Sequence, residues 1–247
     1  MDETLRLRGS VALITGGGRG IGRATALALA QAGADIAVSA RTTAEIERVA
    51  HEVRALGRRA LALRCDVTVY DECRSAVGTT VAQLGRLDIL VNNAGAAARA
   101  DVASSDPQRW TTTIMTNLLS VYYCTHAALP FMMNARSGKI INIGSGMGHS
   151  VATGNSAYSA SKAGVWMFTQ VLAQEIWPHG IDANEVVPGP VYTRATEGVF
   201  RPDGPPPFAP SERVKLPEEV AELILWLAER PPGGPTGQSF SLARRPL

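Results

Sequence analysis

The sequence predicts an α/β fold with a doubly wound parallel sheet of about seven strands and helices on both faces. Three observations carry this. Short, nearly continuous apolar runs alternate with longer stretches of helical periodicity along the whole chain, as strands covered on both faces do. Right-handed crossovers between such strands wind the sheet both ways. The first apolar run leads directly into a glycine-rich turn that opens a helix, the arrangement of a mononucleotide-binding half.

In order, Val11–Thr15 reads as strand, and Ile21–Ala32 as an Ala/Leu-rich helix stopped at Gly33. Asp35–Ala40 is strand, Ala44–Leu56 helix up to Gly57, and Ala60–Arg64 strand. Asp71–Leu84 is helix up to Gly85, Asp88–Asn92 strand, and Pro107–Met133 one long helical segment. Lys139–Ile143 is strand, Ser156–Trp177 helix and Asp182–Val187 strand. Pro217–Glu229 is a helix opened by proline, whose missing N–H costs nothing there, and Gln238–Leu242 is a last strand. Nine of the fifteen prolines fall between Pro202 and Pro235. That region is neither core helix nor central strand. The chain is therefore expected to form a single domain over residues 1–247, with a proline-rich substrate lid at 194–216.

Composition narrows the function classes. With 247 residues, 45% hydrophobic and 19% charged, a full core is expected. A net charge of +2 without basic runs speaks against a nucleic-acid partner. No apolar stretch has the length of a membrane span. The first residues lack a signal peptide's apolar core, and Cys65, Cys73 and Cys124 show no metal or disulfide spacing. A cytoplasmic protein without a metal site is the expectation.

The turn Thr15-Gly16-Gly17-Gly18-Arg19-Gly20-Ile21-Gly22 follows a strand and opens a helix. Such a turn lets backbone approach a pyrophosphate at a helix N-terminus. The second strand ends Ser39-Ala40-Arg41, with no acid to hold a ribose 2′-hydroxyl. Arg41, with Ser39 and Arg19 in support, suits a 2′-phosphate. NADP(H) is therefore favoured over NAD(H). Asp66 and Val67 follow the third strand, where they would meet the adenine. Asn93, Ala94 and Gly95 follow the fourth, beside the adenosine ribose. Asn92 either ties strands together or touches ligand.

Tyr158 and Lys162 are four apart in a helix and share one face. Five tyrosines and three lysines give such a pair by chance only about 0.06 times per chain. Ser145 ends the fifth strand, and Asn117 lies in the helix before it. A free tyrosine is a poor base at neutral pH. A nearby ammonium favours its phenolate, so the pair suits proton transfer to and from a carbonyl oxygen.

These residues resemble the short-chain dehydrogenase/reductase family, whose landmarks fall in order over roughly residues 8–240. They are Thr15-Gly16-x-x-x-Gly20-Ile21-Gly22, Asn92-Asn93-Ala94-Gly95, Asn117, Ser145, Tyr158-x-x-x-Lys162 and Pro188-Gly189 with Thr193 beyond. The resemblance implies a single Rossmann-type domain, a homotetramer, and hydride transfer between NADP(H) and a small-molecule carbonyl or secondary alcohol. It implies Tyr158 as acid/base, Ser145 as carbonyl anchor, Lys162 as ribose ligand and tyrosine activator, and Asn117 as holder of a relay water. It also implies that Pro188, Gly189, Val191 and Thr193 bind the nicotinamide carboxamide. An NAD-dependent dehydrogenase of sugars, steroids or small alcohols, and a non-catalytic dinucleotide-binding protein, are the alternatives. Relatives that reduce 3-oxoacyl carrier proteins carry entrance cations. Arg136 matches one position, and His179 stands at the other.

Four features need separate reading. Gly144 and Gly146 flank Ser145 and are expected to leave the pocket floor open. Met147, His149, Val151, Thr153 and Asn155 are expected to contact substrate, with His149 a possible second acid/base. Glu185 interrupts an apolar strand and is expected at an exposed or hydrogen-bonded strand end, with a functional group as the alternative. Arg194, Phe200, Arg201, Phe208 and Arg213 are the lid's candidate contacts. The usual family ending, Asp-Gly-Gly, is replaced by Gln238-Ser239-Phe240-Ser241.

Overall fold

The computed structural model describes residues 5–97, 99–201, 204–206, 212–244 and 247. Its strands are β1 (Val11–Thr15), β2 (Asp35–Ala40), β3 (Ala60–Arg64), β4 (Ile89–Asn92), β5 (Gly138–Ile143), β6 (Ile181–Val187) and β7 (Ser239–Ser241). The helices are α1 (Gly20–Gln31), α2 (Thr43–Ala55), α3 (Tyr70–Leu84), α4 (Pro107–Ile114), α5 (Ser120–Ala135), α6 (Ser156–Ile176) and α7 (Pro217–Ala228). The strands form one sheet in the order β3-β2-β1-β4-β5-β6-β7, and every pair is parallel. The strand order reverses between β1 and β4, which opens a crevice at their carboxyl ends.

The apolar pattern decides which face each element covers. Ile14, Ile36, Val38, Val91 and Ile141 face α1, α2 and α7. Leu13, Ala37, Leu90, Ile140 and Ala183 face α3, α5 and α6. Alternate residues of one strand thus enter opposite cores, so both sets must be apolar.

Local chemistry sets the boundaries. Asp88 precedes β4 and accepts from Val11 N at 2.8 Å, which joins β4 to β1. Asp106 caps α4 by accepting from Gln108 N, with Pro107 in the first turn. Pro217 opens α7, where Glu219 accepts from Leu216 N at 2.8 Å.

The long helical segment expected over Pro107–Met133 is interrupted by a π-turn at Met115–Leu119. That turn carries Asn117, and such turns recur at functional sites. Val191, just before the lid, and Lys215, near its end, form an isolated parallel bridge, so the excursion's two ends meet beside β6. Phe208 lies outside the described residues. Among the described residues no helix is long and apolar enough to cross a membrane.

Candidate active site

The glycine turn packs against the loop after β4. A Cβ on Gly16 would stand 3.0 Å from Ala94 Cα and from Asn93 Nδ2, and one on Gly22 would strike the Gly16 carbonyl. Thr15 Oγ1 accepts from the backbone N–H groups of Asn93 and Ala94, each at 3.0 Å. Asn93 Nδ2 donates to Thr15 O and Gly16 O. Asn93 therefore holds the turn with its side chain. Asn92 ties strands: its Nδ2 donates to Asn142 Oδ1 on β5 at 2.8 Å and to Thr125 on α5.

This cradle fits a dinucleotide. The glycine backbone at 16–18 and 20 and the N-terminus of α1 face the switch-point crevice, which suits a pyrophosphate. Thr193 packs over Gly20, whose Cβ would stand 3.4 Å from Thr193 Cγ2. The loop Pro188–Thr193 is thereby brought over the glycine turn. Asp66 Oδ1 accepts from Thr68 N at 3.0 Å and Thr68 Oγ1 at 2.8 Å. Despite some desolvation, those bonds and the charges of Arg41 and Arg64 hold its carboxyl below the usual range. The Arg41 charge thus lies beside the expected adenine end. Arg19 is exposed and pairs with Glu45 at 3.7 Å; Arg194 reaches the same carboxylate oxygen at 3.8 Å.

Ser39 is placed differently from expectation. It is buried at 1% exposure, and its hydroxyl has no hydrogen-bond partner. In this structure the hydroxyl of Ser39, the fifth of the six residues of β2, is shielded from the outside where a phosphate would lie. Its contribution to the cradle is a backbone carbonyl, which accepts from Gly17 N at 3.2 Å.

The catalytic candidates converge at the carboxyl end of β5. Ser145 follows the strand, and its hydroxyl caps the next turn by accepting from Met147 N at 3.2 Å. Its own hydrogen remains for Tyr158 or a substrate. Burial pushes the Tyr158 phenol up, and the Ser145 hydroxyl beside it works the other way. Lys162 is buried, and its ammonium donates to Ile143 O at 2.6 Å and lies 5.9 Å from the centre of the Tyr158 ring. Burial brings the Lys162 pKa down to about 8, opposed by the charge of Glu185. Asn117 is fully buried, and both amide hydrogens are committed, to Ala96 O at 2.8 Å and Ser161 Oγ at 3.1 Å. Its side chain thus braces the loop after β4 and offers a relay water no donor.

Two expectations about the pocket change. Glu185 lies inside β6 and is fully buried, so it is neither exposed nor at a strand end; of that expectation only the hydrogen bonding is found. The space beside Gly144 is filled, because a Cβ there would fall on the Glu185 carboxylate. Gly144 therefore makes room for Glu185 and leaves no opening in the pocket floor. His149 bonds that carboxylate, a pairing that no sequence spacing signals. Met147, His149, Val151 and Thr153 line a cavity of about 620 Å³ with Ala100–Val102.

A glycine cradle at a switch point, with a tyrosine, a serine and a buried lysine at the adjoining strand end, defines a nicotinamide-dependent oxidoreductase. Comparison with known proteins gives the particular family. Residues 10–203 match the family model for short chain dehydrogenase, and the chain belongs to that family. It is 39% identical over 240 residues to 3-oxoacyl-[acyl-carrier-protein] reductase of Synechocystis sp., covering 96% of each chain. It is 35% identical over 240 residues to the reductase of the same name from Thermotoga maritima, covering 96% of this chain and 98% of that one. A crystal structure of a short-chain type dehydrogenase/reductase from Mycobacterium marinum superposes with a TM-score of 0.87 at 33% identity, covering 98% and 96% of the two chains.

Proposed function

We propose that this oxidoreductase transfers a hydride between NADP(H) and a carbonyl or secondary alcohol, with Tyr158 as the acid/base. The observation that carries the reading is the convergence of Tyr158, Ser145 and Lys162 at one strand end beside the dinucleotide crevice. The nicotinamide, when bound, supplies the hydride chemistry. Ser145 donates a hydrogen bond to the carbonyl oxygen, which gains strength as negative charge develops there. Tyr158 gives its phenolic proton to that oxygen in reduction and accepts it back in oxidation. Lys162 holds the cofactor ribose, and its ammonium favours the phenolate. Asn117 keeps the loop after β4 in place through Ala96.

Arg41 supports the NADP(H) preference, since Ala40 leaves the ribose end without an acid and Arg41 brings a charge to it. A homotetramer is supported by exposed apolar residues on neighbouring helices, Tyr122 and Phe131 on α5 and Met167 and Val171 on α6. A particle of about 26 kDa by light scattering would end that part of the reading.

The test is a fluorescence titration with NADPH and, separately, NADH, followed by a carbonyl-reduction screen that begins with 3-oxoacyl thioesters. Binding of NADPH about tenfold tighter, about 1.4 kcal/mol, is expected. Equal or tighter binding of NADH would overturn the cofactor assignment and move sugars and secondary alcohols to the front of the screen.

A further inference from the structure

We propose that Glu185 and His149 form a buried positioning pair for the catalytic residues. Glu185 is the counter-charge to Lys162, and His149 ties that carboxylate to the loop that carries Ser145. The inference rests on the proposed roles of Lys162 and Ser145.

Glu185 is the fifth of seven residues in β6 and is fully buried. In register it lies between Asn142 of β5 and Ser239 of β7. Its Oε2 accepts from Ser239 Oγ at 2.5 Å and bonds His149 Nε2 at 2.9 Å. Its Oε1 has no hydrogen-bond partner and lies against Gly144. The preceding residue, Ile143, gives its carbonyl to the Lys162 ammonium. Ammonium and carboxylate therefore flank the same peptide unit, 143–144, and Ser145 is the next residue.

A fully buried carboxylate is costly without opposite charge. The titratable groups facing this one are Lys162 from α6 and His149 from the loop before α6; β5 and β7 contribute Gly144 and Ser239, which are uncharged. Lys162 in turn faces Glu185 and, on its own helix, Tyr158. Burial alone drives Lys162 towards the neutral amine, and the Glu185 charge opposes that loss. Tyr158 responds to burial and to the Ser145 hydroxyl, and the Lys162 ammonium lies 5.9 Å from its ring centre, so a route from Glu185 to Tyr158 would run through Lys162. The Glu185 charge thus favours the ammonium form of Lys162 in a dry site. His149 packs on Trp166, with ring centres 4.9 Å apart, and its other contact is the carboxylate. That fixes the 145–149 turn from below, and through it the position of the Ser145 hydroxyl.

The chain has only three lysines, Lys139, Lys162 and Lys215, so lysine labelled with carbon-13 at Cε gives a resolved titration for each. In the intact protein the Lys162 signal is expected to be that of an ammonium at neutral pH. In Glu185→Gln, which keeps the side chain's shape, its midpoint is expected to fall by about one unit, tenfold in the protonation equilibrium. The midpoints of Lys139 and Lys215 should not move. The alkaline limb of the pH profile for carbonyl reduction should move down with Lys162, which a merely structural loss would not produce. An unchanged Lys162 midpoint in Glu185→Gln overturns the proposal. If that variant does not fold, a neutral Lys162 amine at neutral pH in the unaltered protein overturns it equally. For His149→Phe, KM is expected to rise several-fold with the Lys162 midpoint retained; an unchanged KM overturns the role of His149. The titration needs no substrate, so it separates the two readings. Turnover with an unshifted midpoint removes the pair and leaves the proposed function. A shifted midpoint in a protein that reduces no carbonyl removes the proposed function and leaves only the pairing of charges.

Discussion

Asn117 and Ala96 exchange two hydrogen bonds, each 2.8 Å long: the Ala96 N–H donates to Asn117 Oδ1, and Asn117 Nδ2 donates to the Ala96 carbonyl. One side chain thus satisfies both backbone groups of a loop residue beside the crevice. The π-turn at Met115–Leu119 carries the buried amide that does this.

Asn117→Ala would leave the Ala96 N–H and carbonyl, and the Ser161 hydroxyl, without this partner. A loss of about 1–3 kcal/mol in unfolding free energy is expected for such a buried deficit. Chemical denaturation measures it. Activity should fall further than stability explains, because the loop that carries Gly95 moves. A variant of unchanged stability would show that Ala96 finds other partners.

Replacing Tyr158 by Phe removes the phenolic hydroxyl and keeps the ring. Turnover is expected to fall by about two to four orders of magnitude, the range for a positioned acid/base. NADPH affinity, read by fluorescence, should change little. Retained turnover would assign the proton transfer to another group.

Arg41→Ala tests the reading of the 2′-phosphate. NADPH affinity is expected to drop about tenfold while NADH affinity stays the same, and the difference should shrink at high salt. Equal effects on both cofactors would mean that Arg41 holds something they share.

Glu219 provides a pH test away from the chemistry. Its carboxylate pairs with Arg213 and accepts from Leu216 N at the start of α7, which holds its pKa down at about 2, against an ordinary 4.5. A depressed acid stabilises the fold above its unfolded pKa and loses that contribution as pH falls through the folded one. The pair is solvent-exposed, so Glu219→Gln should lower stability only slightly at neutral pH. Urea denaturation should show that difference shrinking between pH 4.5 and about 2. A difference that persists below that window would have another cause.

The first five strands were legible as apolar runs, which a buried parallel strand requires, whereas β6 carries Asp182, Asn184 and Glu185 and β7 is Ser-Phe-Ser, so these two rested on their place in the alternation. Val11–Thr15, Asp35–Ala40 and Ala60–Arg64 begin and end where the pattern does. Tyr158 and Lys162 were legible from spacing, since helical periodicity places residues four apart on one face. The π-turn was not, because its residues, Met-Thr-Asn-Leu-Leu, read as ordinary helix. Ser39 misled because strand alternation gives a face without saying how deep the face is buried. Glu185 and His149 are 36 residues apart on a strand and a loop, and only the packing of β5 against β6 brings them together.

The strand order has a consequence for how the chain is assembled during synthesis. The sheet grows from β1 first to one side, through β2 and β3, and then from its other side through β4 to β7. The half that would take the adenosine can therefore pair its strands early. Glu185 emerges with β6 after its neighbour β5 has been made, but the hydroxyl that covers it, Ser239, lies 54 residues further on. At about 5–20 residues per second, the nascent protein spends several seconds with that carboxylate lacking its β7 neighbour. The last strand to be added is thus a seal on the charge beneath the reactive end of the site, and a release from the ribosome before it forms would leave an acid at the open edge of the sheet.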